Sequence, residues 1–147
     1  MTLSEWVAQN RDEVLPEPTS RQEIRGLLAV IDRELLDAGA VPSLDGKFSH
    51  VFWASLMVAR TALRASGYRL RSTAHHYKAI ESLEYTLGLD SAQLLRLQAY
   101  RAKWARAEYE TAGLVTEVEL EEASDLAKTL RQGLNDWLHR EHPDLIP

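Results

Sequence analysis

The sequence predicts an all-α protein, a four- to five-helix up-and-down bundle. Apolar residues recur at helical spacing along most of the chain, and paired capping residues precede several of these stretches. The sustained alternation that is typical of strands is absent, so no strand is expected. The 147 residues suffice for one domain with a substantial core. We expect a short N-terminal helix and a proline-containing linker over residues 1–19, and the helical bundle domain over residues 20–147.

The first half of the chain is divided by prolines and polar stretches. A short helix is expected from about Leu3 to Arg11, and the prolines of LPEPTS (15–20) end it. Ser20 and Glu23 form a capping-box pattern at the start of the next helix, which Ala38-Gly39-Ala40-Val41-Pro42 ends.

The central helix is expected from about His50 to Ser66, with Ser49 as its N-cap and SLDGK (43–47) as the loop before it. Its apolar residues lie on more than one side, which indicates the most buried helix of the bundle. Gly67 ends it, and a basic connection follows.

Three further helices are expected in the second half. The first covers about residues 74–87 and ends at Gly88. Asp90 with Gln93 and Thr116 with Glu119 give capping-box patterns for the other two. These connections are short, which favours antiparallel neighbours.

The charges divide the chain into three parts. Residues 60–106 carry nine Lys and Arg against three Asp and Glu, a net charge of +6, whereas residues 1–59 and 107–147 carry −4 and −7. A basic middle is compatible with a surface that binds a polyanion. The alternative is that the acidic ends fold back and neutralise it.

The chain contains no cysteine, which excludes disulfides, a thiolate nucleophile and a thiolate zinc site. His139 and His142 lie three residues apart, but no third ligand is local, so no metal and no cofactor are expected. The N-terminus does not resemble a secretory signal, and no apolar run approaches the ~20 residues that span a bilayer. We therefore expect a cytoplasmic protein with no membrane partner.

The helix over residues 91–111 carries the most informative charges. Arg96, Lys103 and Arg106 fall within an arc of about 80° on a helical wheel and form a stripe of three cations. Arg101 lies instead among apolar neighbours. It is either one half of a structural ion pair or a ligand for a phosphate or carboxylate.

The second candidate is a mainly basic run that comprises Arg69, Arg71, His75, His76, Tyr77 and Lys78. Adjacent histidines diverge by about 100° on a helix, so at most one of them faces a site. The start of a helix lowers the pKa of a histidine and favours a neutral base, and it also favours anions. The alternative is that one histidine caps or packs while the other is solvated.

The chain resembles the HEPN domain, a small helical bundle that is common in bacterial toxin–antitoxin, defence and RNA-processing proteins. The resemblance covers about residues 24–138 and rests on helix order and on two segments, HHYKAIESLEYTLGL (75–89) and RAKWARAEYETAG (101–113). An acidic start of the final helix follows the second segment. The small stand-alone members of the family are the most similar.

The resemblance implies a homodimer in which paired motifs line one cleft. HEPN ribonucleases carry an Arg, often followed by Asn, and a His several residues later, and they cut RNA without metal through its 2′-hydroxyl. In this chain the Arg-Asn pair falls on Trp104 and Ala105, and the His falls on Tyr109. Arg71 and His76 satisfy the literal spacing, but at the start of a different helix.

We therefore expect a non-catalytic, dimeric HEPN-like protein that binds RNA, a nucleotide or a protein partner such as an antitoxin or a nucleotidyltransferase. Its expected binding residues are Arg69, Arg71, Arg96, Arg101, Lys103 and Arg106. One alternative is a metal-independent, toxin-type ribonuclease with His76 and Tyr109 as catalytic residues. The other is a purely structural oligomerisation module.

Overall fold

The chain is mostly helical, in line with the all-α class that the sequence predicts. The computed structural model describes residues 1–146, and within that range there are six α-helices, two short strands and a 3₁₀ helix at Pro143–Leu145. The helices are α1 (Leu3–Gln9), α2 (Arg21–Ala40), α3 (Leu44–Ala65), α4 (His76–Ser82), α5 (Ser91–Tyr109) and α6 (Glu117–Glu141). The strands are β1 (Val14–Pro16) and β2 (Tyr68–Leu70).

Helix α3 lies at the centre of the fold, which confirms the predicted position of this helix. Helices α2 and α6 pack along it, and α4 and α5 contact it as well. Its large apolar side chains are almost completely buried, among them Phe48, Phe52, Leu56 and Leu63. Burial of such side chains, at about 1.5–3 kcal/mol each, is the main stabilising contribution to a bundle of this kind.

The start of α3 differs from the prediction. The N-cap is Ser43, whose hydroxyl accepts a hydrogen bond from the Gly46 backbone N at 2.9 Å, so the expected loop 43–47 forms the first turn of the helix. Polar residues are suited to this turn because its backbone N–H groups need a capping acceptor. Ser49 lies inside the helix, where its hydroxyl donates to Glu108 and accepts a hydrogen bond from Trp104 Nε1 at 3.2 Å.

The N-terminal segment packs against the rest of the molecule. Trp6 and Val7 of α1 belong to the core. The Trp6 indole donates from Nε1 to Glu81 at 2.8 Å and stacks on Tyr85 with ring centroids 6.0 Å apart. These contacts attach α1 to α4 and to the turns that follow it.

The two strands correct the expectation that no strand is present. They pair in antiparallel orientation, with Val14 opposite Leu70 and Pro16 opposite Tyr68. A strand of three residues is too short to show the alternating pattern from which strands are predicted. The sheet fixes the basic connection after α3 against the segment before α2.

The later helices follow their predicted capping residues, but α4 is shorter than expected. Asp90 with Gln93 and Thr116 with Glu119 form complete capping boxes at α5 and α6. Helix α4 ends at Ser82 because the chain tightens into turns from there to Gly88, whose φ of 72° favours glycine. At α2 the Ser20 hydroxyl caps the Glu23 backbone, but the Glu23 carboxylate binds Arg64 instead of closing a capping box.

Candidate functional site

His76, the first residue of α4, lies between aromatic rings of two other helices. Its imidazole meets Trp53 of α3 edge-on at a centroid distance of 6.1 Å and Trp104 of α5 edge-on at 5.5 Å. Its Nδ1 is buried and has no hydrogen-bond partner among residues 1–146. A buried imidazole nitrogen without a partner is costly, so this position needs an explanation other than packing alone.

Two arginines from different helices contact residues that flank His76 in the chain, and their charges act on its imidazole. Arg60 of α3 is half-buried, and its Nη2 donates to the Thr73 carbonyl at 2.7 Å. Arg101 of α5 donates from Nε to the Gln98 side chain at 3.0 Å, and its guanidinium lies 5.6 Å from the centroid of the Tyr77 ring. We call Arg60, His76 and Arg101 the arginine–histidine cluster.

The electrostatics of the cluster favour a bound anion. Burial, followed by the charges of Arg60 and Arg101, lowers the pKa of His76, so this side chain is neutral at pH 7. Burial also lowers the pKa of Arg60, because the charged guanidinium has lost part of its hydration. Neither arginine forms a salt bridge with any residue between positions 1 and 146. An anion placed beside them would supply the missing charge.

The predicted cations of the connection after α3 have partners of their own. Arg69 pairs through Nε with Glu17 at 2.9 Å. Arg71 donates from Nε to the Arg11 carbonyl at 3.0 Å and lines a groove beside α1. His76 instead contacts Trp53 and Trp104, so the two residues have different contacts, although their spacing along the chain matches the ribonuclease pattern.

The predicted stripe on α5 is largely neutralised. Lys103 binds Glu119 of α6, and this hydrogen bond is the main cause that lowers the pKa of Glu119. Arg106 lies 3.7 Å from the carboxylate of Glu110. Arg96 is exposed and forms no ion pair within the described part of the chain. Acidic residues of the third segment thus reach two of the three cations, as the alternative interpretation of the charge pattern expects.

Tyr109, the last residue of α5, is 80% exposed. Its ring meets Trp104 edge-on at a centroid distance of 6.3 Å. His76 and Tyr109 therefore both contact Trp104, and this indole connects the two residues predicted to be catalytic.

A cavity of about 300 Å³ adjoins the cluster. It lies between α2, α3 and β2, and both Arg60 and Trp53 line it. Its walls are mainly apolar, which is typical of small ligand-binding pockets. The cavity and the cluster share Arg60, and Trp53 of the cavity contacts His76 of the cluster.

Sequence reasoning missed Arg60 and Trp53. The available signal was the helical spacing of Trp53, Met57, Arg60 and Arg64, which places all four on one face of α3. Such a face combines aromatic, apolar and cationic side chains. This face is difficult to recognise in the sequence because α3 is apolar on most sides, and such a pattern predicts a core position for the whole helix.

One group of side chains has the composition of a metal site. Ligand atoms of Glu34, Asp37 and His50 lie within 4.8 Å of one another. Glu34 Oε2 and His50 Nδ1 are already hydrogen-bonded at 2.6 Å, and this pair joins α2 to α3. The spaced histidines near the C-terminus have other contacts: His139 Nδ1 lies 2.8 Å from the Asn135 carbonyl, and His142 packs on Trp137.

Within residues 1–146, none of the helices combines the length and the apolar character that crossing a membrane requires. No protein-family model, curated protein or solved structure matches this chain. The structure itself describes a helical protein in which arginine side chains and aromatic rings surround His76. The resemblance to HEPN domains stays a prediction.

Proposed function

We propose that the protein binds single-stranded RNA, or a nucleotide, through the arginine–histidine cluster and does not cleave it. The observation that carries the proposal is that Arg60 and Arg101 contact Thr73 and Tyr77, which flank His76 in the chain, and that neither arginine has a carboxylate partner among residues 1–146. Among the other predicted binding residues, Arg69, Lys103 and Arg106 have acidic partners. Arg71 donates to a backbone carbonyl, and Arg96 is exposed without an ion pair among residues 1–146.

The chemistry of the cluster fits a phosphodiester. Guanidinium groups bind phosphate oxygens through paired N–H donors, and a charge-assisted hydrogen bond of this kind contributes about 1.5–3 kcal/mol. The rings of Trp53 and Trp104 contact the imidazole of His76, and the ring of Tyr77 lies against the guanidinium of Arg101. Single-stranded nucleic acids are bound by this combination, because bases stack on aromatic side chains while cations hold the backbone.

Binding without cleavage follows from the number of proton-transfer groups. Attack by a 2′-hydroxyl needs a proton acceptor for that hydroxyl and a proton donor for the leaving oxygen. The described cluster supplies one imidazole, and its pKa is lowered, so it is a poor donor at pH 7. Dimerisation and a protein partner stay predictions, as does the location of the protein in the cytoplasm.

The test compares RNA affinity between two charge-matched double variants. Arg60→Gln/Arg101→Gln removes both cations of the cluster, whereas Arg25→Gln/Lys128→Gln removes two exposed cations of α2 and α6. We expect the first pair to weaken binding of a fluorescein-labelled oligouridylate by about 30-fold or more in an anisotropy titration, and the second pair by less than about threefold. Equal losses would contradict the assignment, and circular dichroism checks that both variants are folded.

One observation favours a second function, a metal-independent ribonuclease. A neutral imidazole beside two guanidinium groups combines a general base with cations that can stabilise a phosphorane. This function predicts that the protein cleaves RNA in the presence of EDTA and that His76→Ala abolishes cleavage. Tyr109→Phe tests the other residue predicted to be catalytic. Intact RNA after prolonged incubation with the unmodified protein would exclude it.

A further inference from the structure

The cavity beside the cluster has mainly apolar walls. Trp53, Met57 and Leu63 of α3 form one side, and Tyr68 and Leu70 of β2 form another. Leu27 of α2 lines the cavity and is half-buried. Two aromatic rings and several aliphatic side chains thus enclose about 300 Å³.

Most of the charged residues that line the cavity are paired with an opposite charge, and Arg60 is the exception among residues 1–146. Arg64 donates to Glu23 at 2.6 Å and to three backbone carbonyls, and Arg69 pairs with Glu17. Hydrogen bonds from Thr19 and Arg64 lower the pKa of Glu23, so this carboxylate stays ionised and paired with Arg64. Among residues 1–146, the acceptor of Arg60 is a backbone carbonyl, that of Thr73. A ligand of the cavity therefore meets one uncompensated positive charge, at the side facing the cluster.

We propose that this cavity receives one unstacked base of the RNA whose phosphate lies on the cluster. This inference rests on the proposed function and names the part of the ligand that enters the protein. An unstacked nucleotide has the required chemistry: a flat aromatic body joined to an anion. Arg60 lines the cavity and belongs to the cluster, so it binds the phosphate while the base lies against the apolar wall.

The aromatic lining favours a base over an aliphatic ligand. Every base has a π-face that stacks on a tryptophan or a tyrosine, and such stacking does not require a particular sequence. Trp53 also contacts His76, which places the aromatic wall of the cavity next to the phosphate-binding groups. Base and phosphate are thus recognised by adjoining side chains of the same helix.

The test uses two probes that differ only in their bases. One is a fluorescein-labelled oligouridylate, and the other is the same sugar–phosphate backbone without bases. We expect the unmodified protein to bind the intact oligomer about tenfold more tightly than the abasic one. Leu27→Trp, which fills the cavity, and Trp53→Leu, which removes the aromatic wall, should each reduce that difference to less than about twofold. Leu28→Trp is the matched control, because Leu28 is also half-buried on α2 but does not line the cavity.

The outcomes separate this inference from the proposed function. Equal affinity of the unmodified protein for both probes would overturn the cavity assignment and leave phosphate binding by the cluster intact. Failure to bind either probe would overturn both. A difference that persists in Leu27→Trp and in Trp53→Leu would place the base outside the cavity, and this also overturns the inference. Circular dichroism and the melting temperature show whether each variant is folded.

Discussion

The imidazole of His76 meets the indole of Trp104 edge-on, with ring centroids 5.5 Å apart. This contact joins the start of α4 to the middle of α5. It therefore brings together the two segments, 75–89 and 101–113, that carry the resemblance to HEPN domains. Arg101, one turn before Trp104, comes close to His76 for the same reason.

The pKa of His76 should lie below its ordinary value of 6.5, because burial and two nearby guanidinium groups disfavour the imidazolium. An NMR titration of the imidazole resonances, assigned with His76→Gln, measures it. Arg101→Gln should raise this pKa without restoring 6.5, since burial is the larger cause. As the pH falls, His76 is protonated in the unfolded state before it is protonated in the folded state. The contribution of neutral His76 to the free energy of unfolding is therefore complete above pH 6.5 and is lost as the pH falls from 6.5 through the pKa of the folded state. A pKa at or above 6.5 would contradict this description.

RNA binding should be linked to protonation of His76. A phosphate beside the imidazole favours its charged form, so binding raises the pKa of His76 and takes up protons. Affinity for the oligouridylate should therefore increase several-fold from about pH 7.5 to about pH 5.5. His76→Gln should remove this dependence. Anisotropy titrations at constant ionic strength measure both proteins, and a pH dependence that persists in the variant would assign it to another group.

Lys103 should contribute to stability and not to RNA binding, because it forms an ion pair with Glu119. Lys103→Gln is expected to lower the free energy of unfolding by about 0.5–1 kcal/mol, as for other partly exposed ion pairs. Its affinity for RNA should change by less than about twofold. Urea unfolding and anisotropy measure the two quantities. A tenfold loss of affinity would restore the α5 stripe as part of the interface.

Arg64 should be the most important cation for stability. Its guanidinium ties the segment before α2 to β2 through Glu23 and three carbonyls, and the residue is only 8% exposed. Arg64→Ala leaves these carbonyls without a donor and removes a buried aliphatic stem, so we expect a loss of about 2–4 kcal/mol. The control is Arg131→Ala, which breaks an exposed pair with Asp32 and should cost less than about 1 kcal/mol. Similar losses in urea unfolding would contradict the structural role of Arg64.

Local sequence patterns predict most of the helices and few of the contacts of the candidate site. Asp90 and Thr116 were identifiable as N-caps because a cap depends on residues three positions apart. The strands were not identifiable, since three residues show no period and their pairing joins positions as distant as Val14 and Leu70. Arg101 was recognised as an unusual cation from its apolar neighbours.

Whether each of the other cations forms an ion pair depends on contacts between helices. Lys103 and Arg101 lie on the same helix, yet only Lys103 reaches a carboxylate of α6. The pattern of α5 separates Arg101 from the stripe, but it does not show which of the two cations meets a carboxylate. Arg60 was overlooked for the related reason that its role depends on α4 and α5, which pack on α3 only in the folded molecule.

The salt dependence of RNA affinity tests the central claim most directly. If Arg60 and Arg101 each neutralise one phosphate, the logarithm of the association constant should fall against the logarithm of salt concentration with a slope of about −1.4. In Arg60→Gln/Arg101→Gln the slope should approach zero, and in Arg25→Gln/Lys128→Gln it should stay near the original value. Equal slopes in all three proteins would show that the cluster does not hold the phosphates.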